Sequence, residues 1–490
     1  MSKPRLCVTV TGATTADLRA KRDTIADADL IELRLDSVSD PNVAGALSGR
    51  RTPVIVACRP AWEGGAFAGS EEERRRILTE ALALGAEYVD VEWRARFDDV
   101  IARTEGRRIV LSAHDFSGVP ADARGQLRSM RSTGAEIVKL AVKANRLVDC
   151  LPLADLAKEV GPDAGIVLLA MGPHGLITRV LPGRFGSQWT YAGSLDDLGQ
   201  ITTESLLQTY RFRSLGESTA IYGLVGGSID HSASPAMHNA AFEAAHMDAV
   251  YLPFPAPDAD DFQAFGRAMG IMGASVTVPH KVSLFDRVDE VNPVASRIGA
   301  INSISLADGR WIGGNTDATG FLAPLKDRVA LRGLRVAVLG AGGAARAVTV
   351  ALASSGCSVR LHARNPAQAR QLAIRTPLET GPWPPEPGSW DLVVNCTPIG
   401  MYPHVNETPL AANELTGRYV YDLVYNPPAT RLVREAAAAG CQALGGLEML
   451  VAQAEEQFGW WTGVKPPKGV MRDAAFNWLA EFARNENHVV

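Results

Sequence analysis

The 490-residue chain has few cysteines, no long apolar run and no cluster of basic residues. Its six cysteines lie far apart without a C-x-x-C pair, which argues against a disulfide framework and against a zinc site. No apolar stretch reaches the length of a transmembrane helix. The net charge of −5 comes without a basic run, which argues against binding to nucleic acid or to an anionic membrane.

The N-terminal stretch "MSKPRLCVTVTG" is too short and too β-branched to be the apolar part of a signal peptide. We therefore expect a cytoplasmic protein with free thiols and no bound metal, and small-molecule substrates rather than nucleic acid or membrane as its partners. The sequence assigns no oligomeric state. A hydrophobic content of 46% over this length is enough for roughly three domains.

The first two hundred residues contain eight short apolar runs separated by helix-like segments. Eight strands with helical crossovers predict a (β/α)8 TIM barrel, an α/β fold. One crossover contains "SEEERRR", which we interpret as a solvated helix face. The eight runs are "RLCVTVTG", "DLIELRLD", "PVIVACR", "EYVDVEW", "RIVLSAHDF", "EIVKLAV", "GIVLLAM" and "QWTYAG".

Polar residues gather at the carboxyl ends of these predicted strands, where barrels place their active sites. Lys139 is the most unusual of them, because an amine inside an apolar strand either extends to water or is held desolvated as a nucleophile. Each has a structural alternative: Arg34 and Asp36 could form a rim salt bridge, and His114 could be a structural histidine. The polar residues are Glu32, Arg34, Asp36, Arg59, Glu92, His114, Asp115 and Lys139.

A second pattern begins after a boundary near Leu215, with βα units followed by a glycine-rich turn. "GAGGAA", residues 340–345, follows an apolar strand and opens a helix, which is the context of a dinucleotide-binding turn. Arg364 closes the next strand, where an arginine suits a 2′-phosphate. This favours NADP over NAD, with a solvent-facing helix start as the alternative reading of Arg364.

This second half resembles shikimate dehydrogenase, on motifs that include "DHSASPAMHN", "ASVTVPHK", "GAINSI", "GGNTDATGF" and "GGLEMLVAQAEEQF". The resemblance implies that Lys281 and Asp317 form the catalytic pair. It implies the substrate-binding residues Ser232, Ser234, Thr277, Asn302 and Gln453. The cofactor site would be Gly340, Ala341, Gly342, Gly343, Ala344, Arg364, Asn365, Thr397 and Gly446. Two departures from the family are Ser275, where asparagine is usual, and Ala363, which replaces the asparagine of its N-R-T motif.

The first half resembles type I 3-dehydroquinate dehydratase, on E-x-R-x-D (Glu32, Arg34, Asp36), "CRPAWEGG", "SAHDF", "IVKLAV" and "FGSQWTYAG". The resemblance implies that Lys139 forms a Schiff base, that His114 is the base and that Glu92 orients it. Substrate would be bound by Glu32, Arg34, Arg59, Arg179 and Gln200. The closing loop departs from the family in having Asp196 in a serine position and Leu198 in place of proline.

Together the two resemblances predict one chain that performs two consecutive steps of the shikimate pathway. We expect a dehydratase barrel over 1–214, a substrate-binding domain over 219–325 completed by helices over 455–485, and a Rossmann NADP-binding domain over 326–454. Two alternatives stay open at this point. The dehydrogenase half could prefer quinate or NAD, or one half could be a non-catalytic scaffold.

Overall fold

The computed structural model describes residues 4–161, 164–193, 200–229, 231–375 and 378–486. The chain consists of two compact units. The first comprises Met1–Thr219 with Phe254–Met269, and the second comprises Ala220–Pro253 with Gly270–Val490. Within the described ranges, none of the helices combines the length and apolar character needed to cross a membrane.

The first unit contains the predicted barrel of eight parallel strands, in the order β7-β6-β5-β4-β3-β2-β1-β8. A parallel bridge between Ile166 and Ser187 and a hydrogen bond from Gln188 N to Ile166 O (2.9 Å) bring the two ends of the sheet together. The strands are β1 (Arg5–Val10), β2 (Leu30–Arg34), β3 (Val54–Ala57), β4 (Tyr88–Glu92), β5 (Ile109–Asp115), β6 (Ile137–Lys143), β7 (Ile166–Met171) and β8 (Trp189–Ala192).

Seven α-helices lie between the barrel strands. The third begins where Ser70 accepts a hydrogen bond from Glu73 N, with three glutamates in its first turn. After β8 the chain forms a π-helical turn over Ser205–Thr209. The helices are α1 (Thr15–Asp23), α2 (Val43–Leu47), α3 (Glu71–Ala83), α4 (Asp98–Arg103), α5 (Ala123–Arg131), α6 (Leu151–Val160) and α7 (Leu176–Val180).

The first unit also includes a helix from far along the sequence, over Ala259–Met269. Within this unit the buried Asp261 carboxylate accepts hydrogen bonds from the backbone N–H groups of Leu147 and Val148, both at 3.1 Å. These N–H groups start the helical turn that leads into α6 and have no partner inside it. A side chain more than a hundred residues away therefore caps this turn, which sequence patterns do not reveal.

The second unit begins with a mixed sheet in the order β10-β9-β11-β13-β14-β12. Its strands carry the motifs of the predicted substrate domain. They are β9 (Ala220–Gly226), β10 (Ala249–Pro255), β11 (Gly273–Val276), β12 (Glu290–Val291), β13 (Ser303–Ala307) and β14 (Arg310–Gly314). The helices of this part of the chain are α8 (Ser234–Ala244), α9 (Ala259–Met269, assigned above to the first unit), α10 (His280–Ser283), α11 (Pro293–Ile298) and α12 (Asp317–Leu322).

A parallel six-stranded sheet follows, in the order β17-β16-β15-β18-β19-β20. This is the strand order 3-2-1-4-5-6 of a Rossmann fold. The strands are β15 (Arg335–Leu339), β16 (Ser358–His362), β17 (Glu379–Gly381), β18 (Leu392–Asn395), β19 (Tyr419–Asp422) and β20 (Gln442–Leu444). The helices are α13 (Gly343–Ser354), α14 (Pro366–Arg375), α15 (Arg431–Ala438), α16 (Leu447–Thr462) and α17 (Val470–Glu486).

The last two helices return to the first sheet of this unit. Phe458 of α16 and Met471 of α17 are fully buried in a cluster with Met237 and Phe242 of α8. The C-terminal helices thus place the polar face of α16 next to β11 and β13. This packing brings Gln453 and Gln457 to the residues that the sequence analysis assigned to substrate binding.

Candidate active sites

One cavity of the barrel unit collects most of the residues predicted there. It opens at the carboxyl ends of the strands, as expected for this fold. Its lining includes Glu32, Arg34, Arg59, His114, Lys139, Arg179, Gln200 and, not predicted, Tyr191.

Lys139 lies in the barrel interior with 3% of its surface exposed. Its Nζ donates to Asp90 Oδ2 at 2.7 Å, and Glu32 Oε1 and the Tyr191 hydroxyl lie at 3.5 and 3.4 Å. The amine also sits over the Tyr191 ring, 4.7 Å from its centroid. A desolvated amine that faces a cavity can attack a carbonyl, so the structure favours the nucleophile reading over an amine that extends to water.

Asp90 is the counter-ion that stabilises the buried Lys139 amine. The sequence analysis missed this residue. It is fully buried, and besides Lys139 it accepts from Ser112 Oγ at 2.5 Å and from Arg59 Nη2 at 3.1 Å. Burial opposes its charge, but Arg59 and Lys139 together hold the pKa of Asp90 below its usual range. Asp90 precedes Glu92 by two residues, so strand periodicity alone places it on the same face.

His114 contacts a different carboxylate from the one we expected. Glu63 Oε1 accepts from His114 N at 2.9 Å and lies 3.1 Å from Nδ1, while Arg59 Nη1 lies 2.9 Å from the same nitrogen. Burial, and then the charges of Arg59 and Lys139, hold the pKa of His114 well below its usual value. The ring is therefore neutral near pH 7, as a general base must be.

Glu92, which we expected to orient His114, is held elsewhere. Its carboxylate pairs with Arg74 of α3 and lies 3.3 Å from Arg59 Nη1. Arg74 comes from the segment predicted as a solvated helix face, yet its side chain is 0% exposed. Burial, together with the charge of Asp90, raises the pKa of Glu92 to about 7. Among the described residues no hydrogen bond joins this carboxylate to His114, and the orienting role of Glu92 stays a prediction.

The sequence did contain a signal for Glu63 in "CRPAWEGG". Gly64 has φ of +75°, and a Cβ on Gly65 would lie 2.1 Å from Arg59 O. The two glycines therefore allow a tight turn that returns the chain over the end of β3. This turn brings Glu63 back to the ring of His114.

The remaining predicted barrel residues have the following contacts. Arg34 forms the rim ion pair with Asp36 (2.7 Å) that was the alternative reading, while both remain at the cavity end of β2. Arg179 donates to Tyr191 O at 3.2 Å, and burial lowers its pKa to about 10. Gln200 Nε2 lies 3.5 Å from Thr9 Oγ1. Asp196 and Leu198 lie outside the described residues.

The second unit brings together Lys281, Asp317, Asn302 and Gln453, as predicted. Lys281 Nζ forms an ion pair with Asp317 Oδ2. Asn302 Nδ2 donates to Asp317 Oδ1 at 2.7 Å and lies 3.5 Å from Gln453 Oε1. An ammonium held by a buried carboxylate is a proton donor in a fixed position.

Ser232, Ser234 and Thr277 lie at the start of α8 and after β11. Ser234 N donates to Ser232 Oγ at 3.2 Å. The side chain of Thr277 would lie 2.4 Å from a Cβ on Gly226, so this glycine lets β9 and the loop after β11 approach closely. These hydroxyls can serve as donors and acceptors to a polyhydroxylated ligand.

The glycine turn after β15 has the shape needed for a dinucleotide. Gly340 has φ of +108°, and Gly342 has open space where a side chain would stand. Helix α13 begins at Gly343, and its first N–H groups are free to bind an anion. A Cβ on Gly343 would lie 2.9 Å from Lys281 Cδ, so this glycine also makes room for the lysine.

The other predicted cofactor residues surround this turn. Thr397 Cγ2 would lie 3.1 Å from a Cβ on Gly340, and Ala341 and Ala344 are half-buried within the turn. Arg364 is exposed just beyond β16, and Asn365 accepts from Ala367 N (3.0 Å) at the start of α14. A Cβ on Gly446 would lie 2.2 Å from Leu423 O, which accounts for a glycine there by packing alone.

Both units match known protein families. Residues 6–217 match the type I 3-dehydroquinase family. Residues 224–304 match the shikimate dehydrogenase substrate binding domain, and residues 446–476 match the shikimate 5′-dehydrogenase C-terminal domain.

Two curated proteins and one solved structure illustrate the similarity. The chain is 34% identical to the bifunctional 3-dehydroquinate dehydratase/shikimate dehydrogenase, chloroplastic, of Arabidopsis thaliana, over 90% of this chain and 79% of that protein. It is 41% identical to the shikimate dehydrogenase (NADP(+)) of Methanothermobacter thermautotrophicus, over 52% of this chain and 95% of that protein. A shikimate dehydrogenase solved with NADP+ has a TM-score of 0.52 at 33% identity and covers 54% of this chain and 97% of its own.

The buried pair of Arg74 and Glu92 generates a stability prediction. Arg74→Met leaves Glu92 in the interior with one cation fewer, and we expect a loss of roughly 3–5 kcal/mol in the free energy of unfolding. Arg74→Met with Glu92→Gln should cost less than the two single changes added together, because neither variant side chain carries an unpaired charge. Urea denaturation measures all of these values. Arg76→Met on the same helix, which breaks an exposed pair, is the control; strict additivity would contradict the assignment.

Proposed function

The chain belongs to the family of bifunctional 3-dehydroquinate dehydratases/shikimate dehydrogenases, and we propose that it converts 3-dehydroquinate through 3-dehydroshikimate to shikimate with NADPH. The observation that carries this proposal is that one chain holds both reactive centres in assembled form. Lys139 is desolvated within reach of the cavity that also contains His114. Lys281 is paired with Asp317 beside a Rossmann domain.

In the first step, the amine of Lys139 attacks the ketone of 3-dehydroquinate, and loss of water leaves an iminium. The iminium withdraws electrons from the neighbouring carbon, so that its C–H becomes acidic. His114, neutral in its buried position, takes this proton and then returns it to the departing hydroxide, which leaves as water. The imine is hydrolysed to release 3-dehydroshikimate and the free lysine.

We assign to Glu63 the orienting role that the sequence analysis gave to Glu92. Glu63 Oε1 accepts from the backbone N–H of His114 at 2.9 Å and lies 3.1 Å from Nδ1, so this carboxylate fixes where the ring stands. Arg59 lies on the same nitrogen and is anchored by Asp90, so it disfavours the doubly protonated ring. Glu92 contributes indirectly, by holding Arg59 in place.

The substrate carboxylate needs a cation in a dry site, and Arg179 supplies it at the far side of the cavity. Burial lowers the pKa of Arg179 to about 10, so the group stays charged at pH 7 and is ready to pair with an anion. Glu32, Arg34 and Gln200 provide acceptors and donors for the hydroxyls of the ring.

In the second step, NADPH supplies the hydride that reduces the ketone of 3-dehydroshikimate. The alkoxide that results needs a proton, which Lys281 donates while Asp317 holds the ammonium in position. Asn302, Ser232, Ser234, Thr277 and Gln453 would bind the carboxylate and hydroxyls of the substrate.

The nucleotide turn fits the cofactor by the space it leaves. Gly340 and Gly342 let the backbone approach a pyrophosphate, and the first N–H groups of α13 point to the same place. Arg364 lies where it can pair with a 2′-phosphate, which supports NADP over NAD. Ala341, Gly343, Ala344, Asn365, Thr397 and Gly446 would complete the cofactor site.

We also propose the domain boundaries of the sequence analysis, 1–214, 219–325 with 455–485, and 326–454, as the functional divisions of the chain. They are supported by the family matches and by the strand orders of the three sheets. All six cysteines are unpaired, which is compatible with a reducing compartment such as the cytoplasm.

The first test supplies purified protein with 3-dehydroquinate and NADPH and follows enone absorbance and NADPH oxidation together. NADPH consumption that depends on 3-dehydroquinate is the expected result. Enone that accumulates with NADPH unused would contradict the reductase assignment, and an unchanged solution would contradict the dehydratase assignment. Parallel reactions with NADH, and of quinate with NADP+, test the alternative preferences of the second half.

Borohydride reduction tests the Schiff base directly. With 3-dehydroquinate present, it should trap the ligand covalently on Lys139, detected as a mass increase on the peptide that contains this residue. Lys139→Ala should abolish the adduct, while Lys143→Ala, at the exposed end of the same strand, should retain it. An adduct of undiminished yield in Lys139→Ala would refute the assignment.

The buried position of His114 predicts the pH dependence of the dehydratase. Because its pKa lies well below the usual 6.5, the neutral form persists to lower pH than it would in a free histidine. We expect kcat/KM for 3-dehydroquinate to remain on its plateau at pH 6.5 and to fall only below that value. The fall should persist in Glu92→Gln, which removes a carboxyl whose pKa is raised to about 7. A midpoint at or above 6.5 in both proteins would contradict the role of His114.

A further inference from the structure

A buried series of hydrogen bonds runs beneath the dehydrogenase site from Tyr251 to Asn302. The hydroxyl of Tyr251 donates to Ser275 Oγ, and Ser275 donates to Gln457 Oε1, both at 2.7 Å. Gln457 Nε2 donates to Ser303 Oγ at 2.8 Å, and Ser303 donates to Asn302 Oδ1 at 2.8 Å. None of these five residues is more than 7% exposed, so water does not substitute for the bonds.

One contact fixes the direction of the whole series. Gln457 Nε2 also lies 3.2 Å from the backbone oxygen of Asn302, which can only accept. The NH2 group of Gln457 must therefore face Asn302, and its Oε1 must face Ser275. Ser275 commits its single proton to this oxygen, and its lone pair accepts from Tyr251.

The same series supports the way in which Asn302 presents its amide. Its Oδ1 accepts from Ser303 Oγ and from Thr316 N, both at 2.8 Å. Its NH2 group is thereby turned to Asp317, where Nδ2 donates to Oδ1 at 2.7 Å. A reversed amide would place its oxygen against this carboxylate, which is repulsive. Asp317 in turn holds Lys281.

We propose that Ser275 and Gln457 are positioning residues for ketone reduction, which act together with Thr316 N to hold the Asn302 amide in the orientation that serves the Asp317–Lys281 pair. The inference rests on the proposed dehydrogenase function. Without the Ser275 hydroxyl, Gln457 loses the hydrogen bond at Oε1, and its side chain is then held only by the bonds of its NH2 group to Ser303 and to the backbone oxygen of Asn302.

The test compares Ser275→Ala with Ser275→Thr, which keeps a hydroxyl, in the full chain. Ser275→Ala should lower kcat/KM for 3-dehydroshikimate by roughly tenfold, on the scale of one buried hydrogen bond. The affinity for NADPH and the dehydratase rate should stay unchanged, and 4-deuterated NADPH should give a larger isotope effect because the chemical step is slowed. Ser275→Thr should recover most of the rate. The matched control is Ser305→Ala, an equally buried serine on β13 outside the series.

A second pair of variants separates the hydrogen-bond series from general packing. Tyr251→Phe removes a donor to Ser275 but leaves the Ser275 proton on Gln457, so it should have a smaller effect than Ser275→Ala. In Gln457→Leu the added Ser275→Ala change should cause little further loss, since the two residues act through one bond.

The outcomes distinguish this inference from the function it rests on. If the unaltered chain does not reduce 3-dehydroshikimate, the proposed function fails. If it does, and Ser275→Ala behaves like Ser305→Ala, the positioning role fails. The inference is also overturned if NADPH affinity falls as much as kcat/KM does. It is likewise overturned if the effects of Ser275→Ala and Gln457→Leu are additive, because either result shows a structural role only.

Discussion

The pairing of charges inside the barrel is the constraint on which the first site depends. Arg74, Glu92, Arg59, Asp90 and Lys139 follow one another with alternating sign, and each lies within ion-pair distance of the next. A buried charge is tolerated only when it is paired and hydrogen-bonded. The reactive amine can therefore occupy an apolar strand because a series of partners extends from it to helix α3. The position of Lys139 is thus supported in part by Asp90, Glu92 and Arg74, which do not line the cavity.

The second site is organised by a different force. Lys281 and Asp317 form the ion pair that the described residues show there, and the geometry around it is set by neutral hydroxyl and amide groups. In such a network the donors and acceptors must match in order, and Asn302 has two acceptor bonds on one side and a carboxylate on the other. The barrel fixes its site by charge, whereas the dehydrogenase half fixes its site by the direction of hydrogen bonds.

The sequence predicts what depends on local pattern. Eight β-branched runs at regular spacing define the barrel, and the glycine turn before α13 defines the nucleotide site, because both follow from backbone geometry. Lys139 and His114 can be recognised in the sequence because they interrupt apolar strands. The sequence analysis missed Glu63, because a turn after β3, and not strand order, brings this carboxylate to the histidine. Arg74 appeared solvated, since nothing in a charged helix start shows which one of three arginines turns inwards.

Gly343 links the nucleotide turn to Lys281, because the glycine leaves room for the lysine side chain. The methylene chain of Lys281 occupies the space where a side chain at this position would stand. The nucleotide turn and the lysine therefore compete for the same space. A mutation to alanine at this glycine would displace the lysine as well as the turn. The two positions cannot drift independently during evolution: a change of cofactor preference that alters this turn must also leave room for Lys281, the proposed acid.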